Sequence, residues 1–63
     1  MELSIDIERH DPTPAYRQIA DGIRDLVRDG ALQPGDRLPT TRELATRLAV
    51  NRSTVVAAYR ALV

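Results

Sequence analysis

Short polar side chains and arginines cluster at two places in the second half of the sequence. The first cluster is Thr40, Thr41 and Arg42, and the second is Asn51-Arg52-Ser53-Thr54. Their hydroxyl, carboxamide and guanidinium groups suit hydrogen bonding to phosphate oxygens and to the edges of bases. Nothing else in the chain resembles a catalytic or metal-binding arrangement. The chemistry indicated is recognition of a nucleic acid.

Both clusters fall at the predicted starts of short helices that are joined by a tight turn. Pro39 disfavours helical backbone at the residue before it, and Thr40 with Glu43 forms a capping box for a first helical turn. Asn51 supplies a second N-cap, whose side-chain oxygen can accept a hydrogen bond from an amide of the next turn. Residues 38–62 therefore indicate a helix-turn-helix, whose second helix enters a DNA groove in proteins of this kind.

Apolar residues at helical spacing predict an all-α domain with helices at residues 14–29, 40–48 and 51–63. The first helix is expected to have Thr13 as its N-cap and Pro14 at its first position. The predicted core residues are Tyr16, Ile19, Ala20, Ile23, Leu26 and Val27 on the first helix, Leu44, Ala45 and Leu48 on the second, Val55, Ala58, Tyr59 and Leu62 on the third, and Leu32 and Leu38 in the connector.

A long run of residues at fixed spacing resembles a known family. It comprises Pro14-x-Tyr16-x-Gln18-Ile19, Gly30-x-Leu32-x-Pro34-Gly35-x-x-Leu38-Pro39 and Arg42-x-Leu44-Ala45-x-x-Leu48-x-Val50-x-Arg52-x-Thr54-Val55. With these residues the chain resembles the GntR-type winged-helix transcription regulators. Residues 54–59 are most similar to the MocR branch, which joins this domain to an aminotransferase-like domain that binds pyridoxal phosphate. The resemblance implies that the helix from Asn51 lies in the major groove of DNA.

The chain departs from the family pattern in two places. Ala49 stands where the family usually has glycine, so a residue with a side chain adopts the left-handed conformation at a cost of about 1 kcal/mol. The sequence ends at Val63, so we expect the family's β-hairpin wing and effector domain to be absent, and with them the usual route to a homodimer. The chain has no lysine to form a Schiff base with pyridoxal phosphate. We therefore expect no cofactor and no enzyme activity.

The net charge is zero, but the charges are divided unevenly. Residues 1–36 hold four arginines and eight acidic residues, whereas residues 37–63 hold five arginines and Glu43 as their only acid. This distribution is expected when one face meets phosphates and the other faces away. Because the basic half carries few charges, we expect weak, salt-sensitive binding.

The candidate DNA contacts have structural alternatives. The candidates are Thr40, Thr41, Arg42, Asn51, Arg52, Ser53, Thr54 and Val56. Arg52 is predicted to bind guanine or phosphate, or alternatively to pair with a surface acid. The resemblance implies that Arg42 contacts a phosphate or a base edge. Capping alone would explain Asn51, Ser53 and Thr54. Val56, on an outer face with Ser53, Ala57 and Arg60, either contacts a thymine methyl or is an ordinary exposed apolar residue.

Three aspartates share one face of the first helix: Asp21, Asp25 and Asp29. Their clustering allows a metal or partner site, but the interleaved Arg24 and Arg28 favour a solvated charged face. His10, the only histidine, is expected to be exposed because it has no predicted metal-binding or catalytic partners.

Residues 1–12 are predicted to form an extended arm with a mobile end, including a brief strand-like alternation over residues 3–7, and residues 13–63 an incomplete winged helix-turn-helix domain. The chain has no cysteine and no long apolar run, which predicts no disulfide, secretory signal or membrane span and a cytoplasmic location. The leading function is sequence-specific binding of double-stranded DNA. The alternative is a protein-interaction module that associates through exposed apolar surface.

Overall fold

The computed structural model describes residues 5–33 and 35–62. Within these ranges the chain is all-α and contains no strand, and its three helices are α1 (Ala15–Arg28), α2 (Thr41–Leu48) and α3 (Arg52–Ala61). The third helix packs against both of the others. The predicted mobile end of the arm lies outside the described residues, as does the last residue of the third predicted helix.

Both helices of the helix-turn-helix begin directly after their predicted N-caps. The Oγ1 atom of Thr40 accepts a hydrogen bond from the backbone N–H of Glu43 at 3.1 Å. The Oδ1 atom of Asn51 accepts one from the backbone N–H of Ser53 at 3.0 Å. Each bond satisfies an amide that has no partner within its own helix, so these two residues set where the helices start.

The start of α1 differs from the prediction that Thr13 is its N-cap. Pro14 is the N-cap, with extended backbone (φ −56°, ψ 147°), and its carbonyl accepts from the backbone N–H groups of Arg17 and Gln18. The backbone N–H of Thr13 donates instead to Oδ1 of Asp11 at 2.7 Å, which forms an Asx turn. The hydrogen bond from the Thr13 backbone is the main cause that lowers the pKa of the Asp11 carboxyl, and a hydrogen bond from the Thr13 side chain lowers it further.

Ala49 closes the turn between α2 and α3 in the left-handed conformation (φ 57°, ψ 44°), as the sequence predicted. The backbone N–H of Val50 donates to the carbonyl of Ala45 at 3.0 Å, and that of Ala49 to Thr46 at 3.3 Å. This pattern satisfies the last carbonyls of α2. Among non-glycine residues in the described part of the chain, Ala49 alone has a positive φ, so the strain of the fold is concentrated in this turn.

The largest fully buried side chains of the core come one from each helix: Ile19, Leu44 and Val55. The other buried residues are Ile5, Ala20, Ile23, Leu32, Ala45 and Ala58, and the half-buried apolar residues around them include Leu26, Leu38, Leu48, Tyr59 and Leu62. The predictions for Tyr16 and Val27 were wrong, since these side chains are 40% and 53% exposed. Of the other helices only α3 packs on α1, so the apolar stripe of α1 is wider than the surface that covers it.

The arm contributes to the core, which the sequence did not indicate. Ile5 is buried and lies against Gly22 of α1. The carboxamide oxygen of Gln18 accepts from the backbone N–H of Glu8 at 2.8 Å, and its nitrogen donates to the Glu8 carbonyl at 3.1 Å. This part of the arm is therefore held on α1 by an apolar contact and a pair of hydrogen bonds.

The acidic face of α1 forms ion pairs, as predicted. The Asp21–Arg24 pair is 3.3 Å long and the Asp25–Arg28 pair is 2.7 Å long, and all four side chains are more than half exposed. In the part of the chain that the structure describes, no histidine or carboxylate cluster could hold a metal ion. His10 is exposed. No helix among the described residues has the length and apolarity needed to cross a membrane.

Candidate nucleic-acid interface

The N-terminal ends of α2 and α3 border one open cleft that contains both predicted arginine contacts. The residues that line it are Thr40, Thr41, Arg42, Glu43 and Arg52. Arg42 lies in the first turn of α2 and Arg52 is the first residue of α3, and both are exposed. The helix-turn-helix thus brings two cations from separate helix starts to one surface, hereafter called the arginine cleft.

A groove beside the arginine cleft shares Thr40 and Glu43 with it. Its other lining residues are Arg37, Leu38, Pro39 and Arg47. Arg37 comes from the connector and Arg47 from α2, and both are exposed. The sequence analysis did not select these two arginines, although they belong to the basic excess of residues 37–63. The structure adds them to a cationic surface that extends from the connector along α2 to its last turn.

The arginines of this surface differ from those of α1 in their ionic partners. Within residues 5–33 and 35–62, all three ion pairs lie on α1 and its C-terminal cap. None of these pairs includes Arg37, Arg42, Arg47 or Arg52, so the alternative of a surface acid for Arg52 is not realised there. Their guanidinium groups are thus available for the charge-assisted, bidentate hydrogen bonds that phosphates and guanine accept.

The polar residues at the start of α3 are already engaged with one another. Oδ1 of Asn51 accepts from both the backbone N–H and the hydroxyl of Ser53, at 3.0 and 2.9 Å. The carboxamide nitrogen of Asn51 keeps its donor capacity, and the Ser53 oxygen can still accept. Thr54 is half-buried. The capping alternative is therefore observed for Asn51, and Arg52 is the long exposed side chain of this turn.

The outer face of α3 is formed by small and polar side chains. Ser53 and Arg60 are exposed, whereas Val56 and Ala57 are half-buried. Val56 thus presents part of an apolar side chain, with less exposed surface than the sequence predicted. Apart from Arg60, the side chains of this face are small, which permits close approach to another surface.

Tyr59 links α3 to the start of α2, a role that helical periodicity did not reveal. Its hydroxyl donates to the carbonyl of Pro39 at 2.7 Å, and the residue is half-buried. Burial, and then the negative charge of Glu43, raise the pKa of the Tyr59 phenol. The phenol is therefore protonated, and able to donate, at neutral pH.

The tight turn between α2 and α3, together with exposed arginines at both helix starts, defines a helix-turn-helix DNA-binding domain. Residues 15–63 match the family described as "Bacterial regulatory proteins, gntR family". The chain belongs to the GntR family of transcription regulators.

Similar proteins are regulators rather than enzymes. The chain is 47% identical over 58 residues to the HTH-type pyridoxine biosynthesis transcriptional regulator PdxR of Corynebacterium glutamicum, covering 92% of this chain and 13% of that protein. It is 43% identical over 58 residues to the HTH-type transcriptional repressor YtrA of Bacillus subtilis, covering 92% and 45%. The chain thus spans less than half the length of these two relatives.

A solved structure shares the fold closely. YtrA from Sulfolobus acidocaldarius, a GntR-family transcription factor, superposes with a TM-score of 0.91 at 49% sequence identity. The match covers 97% of this chain and 64% of the other. Both α1 and the helix-turn-helix therefore have counterparts in a known transcription factor.

Proposed function

We propose that the chain binds double-stranded DNA sequence-specifically, as the DNA-reading domain of a transcription regulator, with α3 in the major groove. The arginine cleft carries this proposal, because Arg42 and Arg52 face it without an acidic partner among the described residues. Arg52, at the start of α3, is the side chain proposed to reach a base edge, where its guanidinium matches the two acceptors of guanine. Arg42 is proposed to contact the sugar-phosphate backbone, which the first helix of such a motif crosses.

The neighbouring arginines and Thr41 are proposed to position the domain rather than to read bases. Arg37 and Arg47 extend the cationic surface beyond the arginine cleft, and Thr41 adds a hydroxyl beside it. The free donors of the Asn51 carboxamide and the partly exposed Val56 are proposed to make smaller contributions, to a phosphate or base and to a thymine methyl. Backbone contacts of this kind fix the register on the duplex without carrying sequence information.

A second candidate function is a protein-interaction module, which an apolar groove on the domain favours. Ile23, Val27, Leu32, Leu38 and Leu62 supply its apolar lining. Val27 is 53% exposed at this groove. Association through such a surface would depend on buried apolar area rather than on charge.

Salt dependence separates the two functions, because only the DNA complex releases counterions. We would measure fluorescence anisotropy of the chain with a short labelled duplex over a series of salt concentrations. If Arg37, Arg42 and Arg47 each meet a phosphate, log K should fall with log salt at a slope of about −3. Arg28→Ala, which removes a paired arginine on α1, is the control and should leave the slope unchanged.

A different result would favour the interaction module. In sedimentation experiments the chain would self-associate at protein concentrations where it does not bind the duplex. That association would change little with salt, since apolar contacts are not screened.

We also infer that the whole protein belongs to the MocR branch of the family, because residues 54–59 resemble that branch. The relatives include the probable rhizopine catabolism regulatory protein MocR of Rhizobium meliloti at 38% identity over 56 residues and YtrA of Bacillus subtilis at 43%, so this inference rests on the resemblance of residues 54–59. An aminotransferase-like domain in the same reading frame would bear out this placement, and a frame without one would contradict it. We propose that such a domain supplies the homodimer and that the regulator acts on DNA in the cytoplasm.

A further inference from the structure

A side-chain hydrogen bond joins α3 to the residue just before the N-cap of α2. The hydroxyl of Tyr59 donates to the carbonyl of Pro39 at 2.7 Å, across 20 positions of sequence. Pro39 directly precedes Thr40, the N-cap that sets where α2 begins. The hydroxyl therefore acts on the segment that leads into Arg42.

The other contacts between the two helices are of a different kind. The buried residues of this interface are Leu44 and Ala45 on α2 and Val55 and Ala58 on α3. Apolar packing is non-directional, so it holds the helices together but specifies their axial and rotational positions weakly. A hydrogen bond loses most of its strength when its distance or angle changes. The Tyr59 hydroxyl is thus suited to fix the start of α2 relative to α3.

We propose that Tyr59 is a positioning residue for DNA binding, which sets the place of Arg42 relative to Arg52 across the arginine cleft through its bond to Pro39. This inference rests on the proposed function. Arg52 belongs to the same helix as Tyr59, whereas Arg42 is linked to that helix through the Pro39 bond. Loss of the hydroxyl therefore displaces Arg42 and leaves Arg52 in place on α3.

The test is a double-mutant cycle, which separates positioning from general stability. Tyr59→Phe removes the hydroxyl but keeps the buried ring. The probe is the duplex that the wild-type chain enriches from a randomised library, and the Kd is measured by anisotropy. Tyr59→Phe should weaken binding by about three- to tenfold, the equivalent of one hydrogen bond. Circular dichroism at the assay temperature checks that each variant is folded.

The cycle then shows through which arginine the Tyr59 hydroxyl affects binding. In the Arg42→Ala background, Tyr59→Phe should cause no further loss beyond about twofold, because the side chain that it positions is gone. In the Arg52→Ala background, Tyr59→Phe should still weaken binding by about three- to tenfold, the equivalent of one hydrogen bond, because the hydroxyl does not position Arg52.

Three outcomes would overturn the inference. An unchanged Kd for Tyr59→Phe would show that the hydroxyl has no part in binding, and an equal loss in the wild-type and Arg42→Ala backgrounds would show that it acts through the fold alone. If the wild-type chain enriches no duplex, the proposed function fails first and the inference with it. Should Tyr59→Phe lower the folded population, the cycle is repeated in the Gly22→Ala background, whose added Cβ on α1 makes only ordinary contact with Ile5.

Discussion

Arg9 reaches across the fold to Ala49, 40 positions later in the chain. Its Nη2 atom donates to the Ala49 carbonyl at 3.3 Å and to the Leu48 carbonyl at 3.5 Å. Carbonyl groups at the C-terminal end of a helix lack partners within the helix and carry partial negative charge. The arm therefore supports the turn that joins α2 to α3 as well as the face of α1.

Arg9→Ala should lower the free energy of unfolding by about 0.5–1 kcal/mol, because two carbonyls at the end of α2 lose a cationic donor. Urea denaturation followed by circular dichroism measures the change. Arg17→Ala removes the same charge from an exposed position on α1 and serves as the control. Equal effects of the two substitutions would show that charge, rather than the contact with Ala49, is responsible.

Gly22→Ala should stabilise the fold by about 0.5–1 kcal/mol, because glycine within a helix costs roughly that amount relative to alanine. An added Cβ would lie 3.4 Å from Cγ1 and Cγ2 of Ile5, an ordinary van der Waals distance. The midpoint of urea denaturation is the measurement. A lower midpoint than wild type would mean that the arm cannot accommodate one methyl group beside Ile5.

Ala49→Gly should also stabilise the chain, although two effects oppose each other. The left-handed conformation costs a residue with a side chain about 1–2 kcal/mol, whereas the added freedom of glycine in the unfolded chain costs about 0.4–1 kcal/mol. The net gain expected is about 0–1.6 kcal/mol, read from the same denaturation curves. A net loss would contradict the strain assigned to this turn.

Stability should decline in alkaline solution because of Tyr59. Its pKa in the folded chain is raised above the ordinary value of 10.0 by burial and by Glu43, so the folded state holds the phenol proton more tightly than the unfolded state. The contribution is complete below the ordinary pKa and is lost as the pH rises through the raised value. Thermal melts over this range should show the decline in wild type and in the Tyr16→Phe control, but a smaller one in Tyr59→Phe. Identical declines in all three proteins would show that the Tyr59 phenol does not contribute to the loss of stability.

The local signals in the sequence predicted the fold well where a single residue determines the backbone. Thr40 and Asn51 start their helices because short polar side chains satisfy free amides, and Ala49 takes the left-handed position because the turn requires it. The stripe of α1 predicted too wide a core, since periodicity gives a direction and not the extent of the covering surface. The exposure of Tyr16 and Val27 is the consequence.

Contacts between distant residues were beyond the sequence patterns. The burial of Ile5 and the reach of Arg9 depend on how the arm crosses α1, and no local signal encodes that path. Helical spacing placed Tyr59 in the core but gave no partner for its hydroxyl. For the interface, helix capping and charge identified the residues of the arginine cleft. The part played by Arg47 could not be predicted, because it depends on how α2 packs beside the connector.

Arg52 is proposed to read DNA bases, and the affinity of Arg52→Ala for the enriched duplex tests this role most directly. We expect a loss of about 1–3 kcal/mol on that duplex and a smaller loss on a scrambled one, since a base contact carries the discrimination. Arg42→Ala, the matched control, should weaken both duplexes similarly and reduce the salt slope by about one. An unchanged Kd of folded Arg52→Ala for the enriched duplex would contradict the proposed base contact of Arg52.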